Sequence, residues 1–111
     1  MTSTITKSTS TLRYDIFIGG DIEQAKQFCR EYCMVVGLCV TVEPVAYIYT
    51  GGEEAGVRVG LINYPRFPAA ADAIEKTALD LAHKLRVKLC QHSFTVVGPE
   101  QSHWFTAREG A

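Results

Sequence analysis

Five consecutive residues, Asn63-Tyr64-Pro65-Arg66-Phe67, combine an amide, two aromatic rings and a guanidinium around a proline. A guanidinium grips a carboxylate or phosphate through paired hydrogen bonds, and aromatic faces stack on bases. With Tyr47, Tyr49 and Arg58 on the preceding hairpin, the group reads as the wall of a pocket for a nucleotide-like anion. The plainer reading is that Tyr64 and Phe67 staple a helix start while Arg66 is solvated. His103-Trp104-Phe105 is the second dense aromatic group. There Trp104 reads as a core or subunit-interface anchor, and His103 as a polar contact or a solvated side chain. The ligand-binding set is therefore Tyr47, Tyr49, Arg58, Asn63, Tyr64, Arg66, His103 and Trp104.

Other combinations carry less. Gly19-Gly20-Asp21 stands between a strand and a helix, where helix N–H groups can hold an anion. Asp21 fills the cap and repels phosphate, so a tight turn is the better reading. His92 and Ser93 are neighbours on a strand and point to opposite faces, which makes a poor nucleophile–base pair. Glu53-Glu54 reads as solvated charge on a loop tip. Cys29, Cys33, Cys39 and Cys90 form no CxxC pair and no Cys/His cluster, so they read as reduced thiols and neither as a metal site nor as a disulfide framework. The pattern names no catalytic residue, no metal ligand and no cofactor.

The elements that must position these groups follow from periodicity. Leu12 to Ile18 reads as a strand. Asp21 then opens a helix in which Ile22, Ala25, Cys29, Tyr32, Cys33 and Val36 recur at helical spacing, and Gly37 ends it. Leu38 to Tyr49 is a long strand in which Pro44 calls for a bend, a bulge or an edge position. Gly51 to Gly56 reads as a hairpin loop and Val57 to Tyr64 as the return strand. Pro68 suits the first turn of a second helix, whose buried stripe is Ala71, Ile74, Ala78, Leu81, Ala82, Leu85 and Leu89. Ser93 to Val97, a turn at Gly98-Pro99-Glu100, and a strand over 102–106 complete the chain. The order β-α-β-β-α-β with an extra C-terminal strand predicts an α+β fold, a ferredoxin-like sandwich whose antiparallel sheet is covered by two helices on one face.

The chain has 111 residues, 47 % of them apolar and 21 % charged, with a formal charge of -1. That fits one globular domain over 12–111, preceded by a Ser/Thr-rich tail over 1–11 that reads as disordered. The charge excludes a strong electrostatic case for a nucleic-acid polymer. No run approaches the roughly 20 apolar residues of a membrane span, and the expectation is a cytoplasmic protein.

The second strand is apolar on both alternations, with Val40, Val42, Val45, Tyr47 and Tyr49 on one and Cys39, Ala46 and Ile48 on the other. An exposed apolar sheet face marks an interface, here most simply with further copies of the chain. The rival is a hairpin arm that leaves the sheet. The run Gly37 to Pro44, then Tyr47-Ile48-Tyr49, Val57 to Ile62 and Arg66-Phe67-Pro68, resembles the central part of CutA and, more distantly, PII-type signalling proteins. The resemblance implies a ferredoxin-like trimer with ligand sites between subunits. The sequence thus points first to a non-enzymatic homo-oligomer that binds a small anionic, nucleotide-derived ligand, as a sensor or as a sequestering protein of the phage type, acting in the host cytoplasm if viral. A protein-interaction module using the open sheet face, and a small enzyme with an intersubunit active site, are the alternatives.

Overall fold

The computed structural model describes residues 4–110. The elements run β1 (Arg13–Gly19), α1 (Ile22–Val36), β2 (Thr41–Tyr49), β3 (Gly52–Ile62), α2 (Ala71–Lys88), β4 (Ser93–Val97) and β5 (Ser102–Thr106). The strands form one sheet in the order β2-β3-β1-β4-β5, with every neighbouring pair antiparallel. The first four strands have the ferredoxin-like order, and β5 extends the sheet beyond β4. This is the expected α+β sandwich.

Both helices lie on the same face. Tyr14, Ile16 and Ile18 of β1, Val57, Val59 and Leu61 of β3, and Phe94 and Val96 of β4 point toward them. These side chains bury against Ala25, Cys29 and Tyr32 of α1 and Ile74, Ala78, Leu81, Ala82 and Leu85 of α2. The period of 2 in the strands meets the period of 3.6 in the helices, and that match selects the core. The helices are pinned to each other by Tyr32, whose hydroxyl donates to Asp80 Oδ2 at 2.8 Å. Lys84 Nζ lies 3.2 Å from the same oxygen.

The α1 boundaries follow the sequence closely. Asp21 accepts a hydrogen bond from Gln24 N–H, and Gly37 adopts the left-handed conformation at the far end. Two boundaries differ most from expectation, at the hairpin and at the start of α2. The hairpin loop is only Thr50-Gly51, and Gly52 to Gly56 belong to β3. A positive φ at Gly51 alone closes the turn in two residues, so Glu53 and Glu54 sit on a strand and not on a loop tip. Pro44 takes the edge position that was one of its expected places, with no bulge. The β2–β3 pairing runs unbroken from Thr41↔Gly60 to Tyr49↔Gly52, because β2 is an edge strand. Helix α2 begins at Ala71, after an N-cap, Ala70, that has no side-chain cap, and Ala71 itself is exposed.

The unbroken register redistributes the β2 side chains. Val40 and Val42 turn to the helices, while Thr41, Glu43, Val45, Tyr47 and Tyr49 face the uncovered side. That side is therefore not the apolar surface expected. At its centre Asp15, 8 % exposed, is held by Arg58 Nε at 3.1 Å and Arg13 Nε at 3.1 Å. Arg58 also reaches Glu43 at 3.6 Å. Past the end of β1, Ala46–Tyr49 paired with Gly52–Ala55 project as an arm, and the molecule measures 54 × 31 × 27 Å.

Helix α2 ends in the motif in which Cys90 N–H donates to Val87 O (3.2 Å) and Gln91 N–H to Arg86 O (2.9 Å). This requires a left-handed residue, and Cys90 supplies it at φ 57 with a Cβ that disfavours the conformation. Cys90→Gly is expected to raise stability by roughly 1 kcal/mol, read as a higher urea midpoint at unchanged slope. The pin between helices gives a pH prediction. The hydrogen bond from Tyr32, then Lys84, lowers the Asp80 carboxyl below its ordinary 3.8. A lowered folded value contributes stability above the unfolded value, and that contribution is lost as pH falls through the folded one. Acid titration of unfolding is expected to show a decline beginning near pH 4, and Tyr32→Phe to flatten it.

Candidate functional site

The uncovered face carries a cleft of about 280 Å³ at the end of β1, lined among others by Phe17, Gly19, Tyr47, Glu54, Gln91 and Trp104. Two glycines make it. A Cβ at Gly56 would collide with the Tyr47 ring and stand 2.6 Å from Ile18 O. Its absence lets that ring lie flat across the strands, where the Tyr47 hydroxyl donates to Val57 O at 3.1 Å. Burial, with the neighbouring Glu54 charge adding to it, raises the Tyr47 phenol above its ordinary value, so the ring is a neutral wall and donor. A Cβ at Gly19 would stand 2.8 Å from Glu54 Oε1 and 2.9 Å from Gln91 Oε1.

Two acceptor oxygens, one of them a carboxylate, thus converge over bare backbone. The amide orientation of Gln91 is set by its own donor, since Nε2 bonds Leu89 O at 3.3 Å. Gln91 is in turn aimed by the α2 terminus described above, where Arg86 Nη1 also donates to Gln91 O at 3.2 Å. Acceptors in this arrangement suit an ammonium or other cation, and the flanking Trp104 offers an aromatic face to the same charge or to a planar base, while the Phe17 ring already lies under the Arg58 guanidinium, 5.9 Å from its centre. Trp104, 62 % exposed, is not a core residue in the single chain.

A larger cleft of about 580 Å³ opens at the other end of β3, between the end of α1, the 63–69 segment and the first turns of α2. A third, of about 330 Å³, is lined by Lys26, Arg30, Cys29, Cys33 and Val42 among others. Of the three, only the sheet-face cleft is lined by a carboxylate.

The chain shares its fold with phage SAM lyase. The apo form of such a lyase superposes with a TM-score of 0.75 at 15 % identity, covering 98 % of this chain and 100 % of that one. A phage SAM lyase in complex with S-methyl-5′-thioadenosine gives 0.67 at 14 % identity, covering 97 % and 100 %. No protein-family model and no curated protein matches the chain. The likeness to CutA and PII-type proteins is neither carried nor opposed by these comparisons.

The eight residues singled out in the sequence do not form one pocket. Tyr47 and Trp104 line the sheet-face cleft. Asn63, Tyr64 and Arg66 line the larger cleft at the other end. Arg58 is engaged with Asp15 and Glu43 at the centre of the sheet, and Tyr49 sits exposed near the arm tip. His103 points to the helix side, with Nε2 3.0 Å from Glu75 Oε1. Spacing along the chain hides this, because Tyr47 pairs with Glu54 near one end of the 11-residue β3 while Asn63 follows Ile62 at the other. Sequence reasoning missed Glu54 and Gln91. The signal for Glu54 was available in the short turn that Thr50-Gly51 permits; Gln91 depends on a left-handed cysteine that no pattern announces.

The Gly19-Gly20 junction is a turn, as read: Gly20 N–H donates to Ala55 O at 3.1 Å and is not free for an anion. His92 and Ser93 form no pair, and Ser93 Oγ instead bonds Thr106 Oγ1 at 2.8 Å. Among the described residues no cluster of three or more His, Cys, Asp or Glu is placed to hold a metal, and all four cysteines are free. Among the described residues no helix is long and apolar enough to cross a membrane.

Asn63, at the wall of the larger cleft, also has a structural duty. Its Nδ2 donates to Ser10 O (2.9 Å) and Thr9 Oγ1 (3.1 Å), and its Oδ1 accepts from Ala69 N–H at 2.9 Å. It ties the segment before β1 to the loop before α2. Asn63→Ala removes three hydrogen bonds made by a buried side chain and, at about 1 kcal/mol each, is expected to cost about 2–3 kcal/mol in chemical denaturation.

Proposed function

We propose that this chain binds S-adenosylmethionine or a close adenosine-derived sulfonium in the sheet-face cleft and cleaves it as a lyase. The observation that carries the reading is the pair of acceptor oxygens, Glu54 Oε1 and Gln91 Oε1, over Gly19, flanked by aromatic rings. Support comes from the full-length likeness to phage SAM lyase, one example of which holds S-methyl-5′-thioadenosine.

Cleavage that releases this thioether breaks the bond between the sulfonium sulfur and the methionine side chain. The electron pair passes to sulfur, which becomes neutral. The carbon left behind is satisfied without water by the ligand's own carboxylate, whose oxygen forms the new bond to it and closes a ring. Because the sulfonium charge disappears in the transition state, a carboxylate held against it would stabilise the ground state more. Glu54 and Gln91 therefore serve the α-ammonium, whose charge is unchanged, while Tyr47 and Trp104 take the adenine by their faces. The protein's work is orientation and exclusion of water.

The cleft is open on its outer side, with Trp104 and the 46–55 arm exposed. A second copy of the chain, seated on this face, would close it; the assembly we infer is a homo-oligomer, with a trimer preferred as in the CutA-like resemblance. A second reading, sequestration without turnover in a phage context, differs only in whether product forms.

Incubation with S-adenosylmethionine and chromatographic assay is expected to yield S-methyl-5′-thioadenosine. Glu54→Gln is expected to weaken binding by about tenfold, the value of one charged hydrogen bond. Calorimetric binding without product selects sequestration, and absence of both binding and product overturns the proposal. Light scattering reads the assembly.

A further inference from the structure

The larger cleft is a separate feature with the opposite chemistry. Its volume of about 580 Å³ falls in the range of small-molecule pockets. Leu38, Leu61, Ile74 and Phe67 give it apolar walls, and Arg66 is the one Asp, Glu, Lys, Arg or His side chain among its lining residues. Among the described residues Arg66 makes no ion pair and no side-chain hydrogen bond; its guanidinium carbon lies 5.2 Å from the Phe67 ring centre.

Phe67 is itself 72 % exposed, an aromatic ring left at the rim with only the guanidinium over it. The other polar groups of the wall are already engaged. Tyr64 donates to Cys39 Sγ at 3.4 Å, and that bond, with burial, pushes its phenol up to about 12. Asn63 is consumed as described, and Asp72, outside the lining, satisfies Ala73 N–H at 3.0 Å. At neutral pH the cleft therefore presents an apolar body with a single unpaired cation at its mouth.

We propose that this cleft binds a small organic anion with an apolar body, of the carboxylate or sulfonate class, whose charged group pairs with Arg66 and whose body lies between Phe67, Leu38 and Ile74. It is distinct from the sheet-face cleft and needs no ligand there. A carboxylate takes both guanidinium N–H rows in parallel, while Phe67 closes over the apolar part.

Anilinonaphthalene sulfonate and its uncharged relative phenylnaphthylamine serve as fluorescent probes on the full chain. The expected result is saturable binding of the sulfonate at one site per chain. Arg66→Gln should weaken it by about tenfold while leaving the uncharged probe within about twofold, and Ala73→Trp, which fills the cleft from an exposed helix position, should abolish both. Circular dichroism and melting confirm that the two variants fold. Equal sulfonate affinity in Arg66→Gln, or sulfonate binding that survives Ala73→Trp, would overturn the proposal.

Discussion

Two helices cover one face of a five-stranded sheet, and the other face must find its own partners. Half of every strand's side chains fall on that uncovered side, and burial behind a helix is not available to them. The chain meets the constraint with charge at the centre and glycine at the end. Asp15 is shielded by Arg13 and Arg58 rather than by apolar packing. The carboxylate is nearly buried yet fully paired, the one condition under which burying a charge is tolerable. Toward the end of β1, Gly19 and Gly56 replace side chains with bare backbone. Neighbouring rings and acceptors then lie down against the sheet, and the cleft exists because those two positions have no Cβ.

What was legible in the sequence follows the same division. The helix-facing half of the sheet could be read directly: Ile16, Ile18, Val57, Val59 and Leu61 alternate cleanly, and Asp21 and Gly37 bracket α1 with local chemistry that tertiary contacts do not override. The uncovered half could not. On β2 an apolar pattern on both alternations has two causes that look alike in one dimension. Either an edge strand buries both faces, or one face is core and the other carries Val45, Tyr47 and Tyr49 beside Thr41 and Glu43. Only the pairing of Thr41 with Gly60 distinguishes them. The candidate site suffered most, because chemical types close in sequence were read as close in space. Asn63 and Arg66 share a cleft, but Tyr47 and Trp104 belong to another, formed by strands that lie far apart in the chain.

The two clefts occupy opposite ends of α2, which at 18 residues spans about 27 Å. Its N-terminal turns border the cleft with the unpaired cation, and its C-terminus aims Gln91 into the cleft with the carboxylate. The α2 dipole therefore favours an anion at the first and a cation at the second. Helix α1 runs the other way, though. Its C-terminal residues Gly37 and Leu38 border the same larger cleft, while its N-terminus is capped by Asp21 beside the end of β1. Two antiparallel helices of similar length largely cancel at each end, so the backbone sets no preference. Side chains set the sign instead. Arg66 is the one charged group lining the larger cleft, whereas at the other end Glu54 shares its cleft with Arg108, so the carboxylate there has a cation of its own among the lining residues.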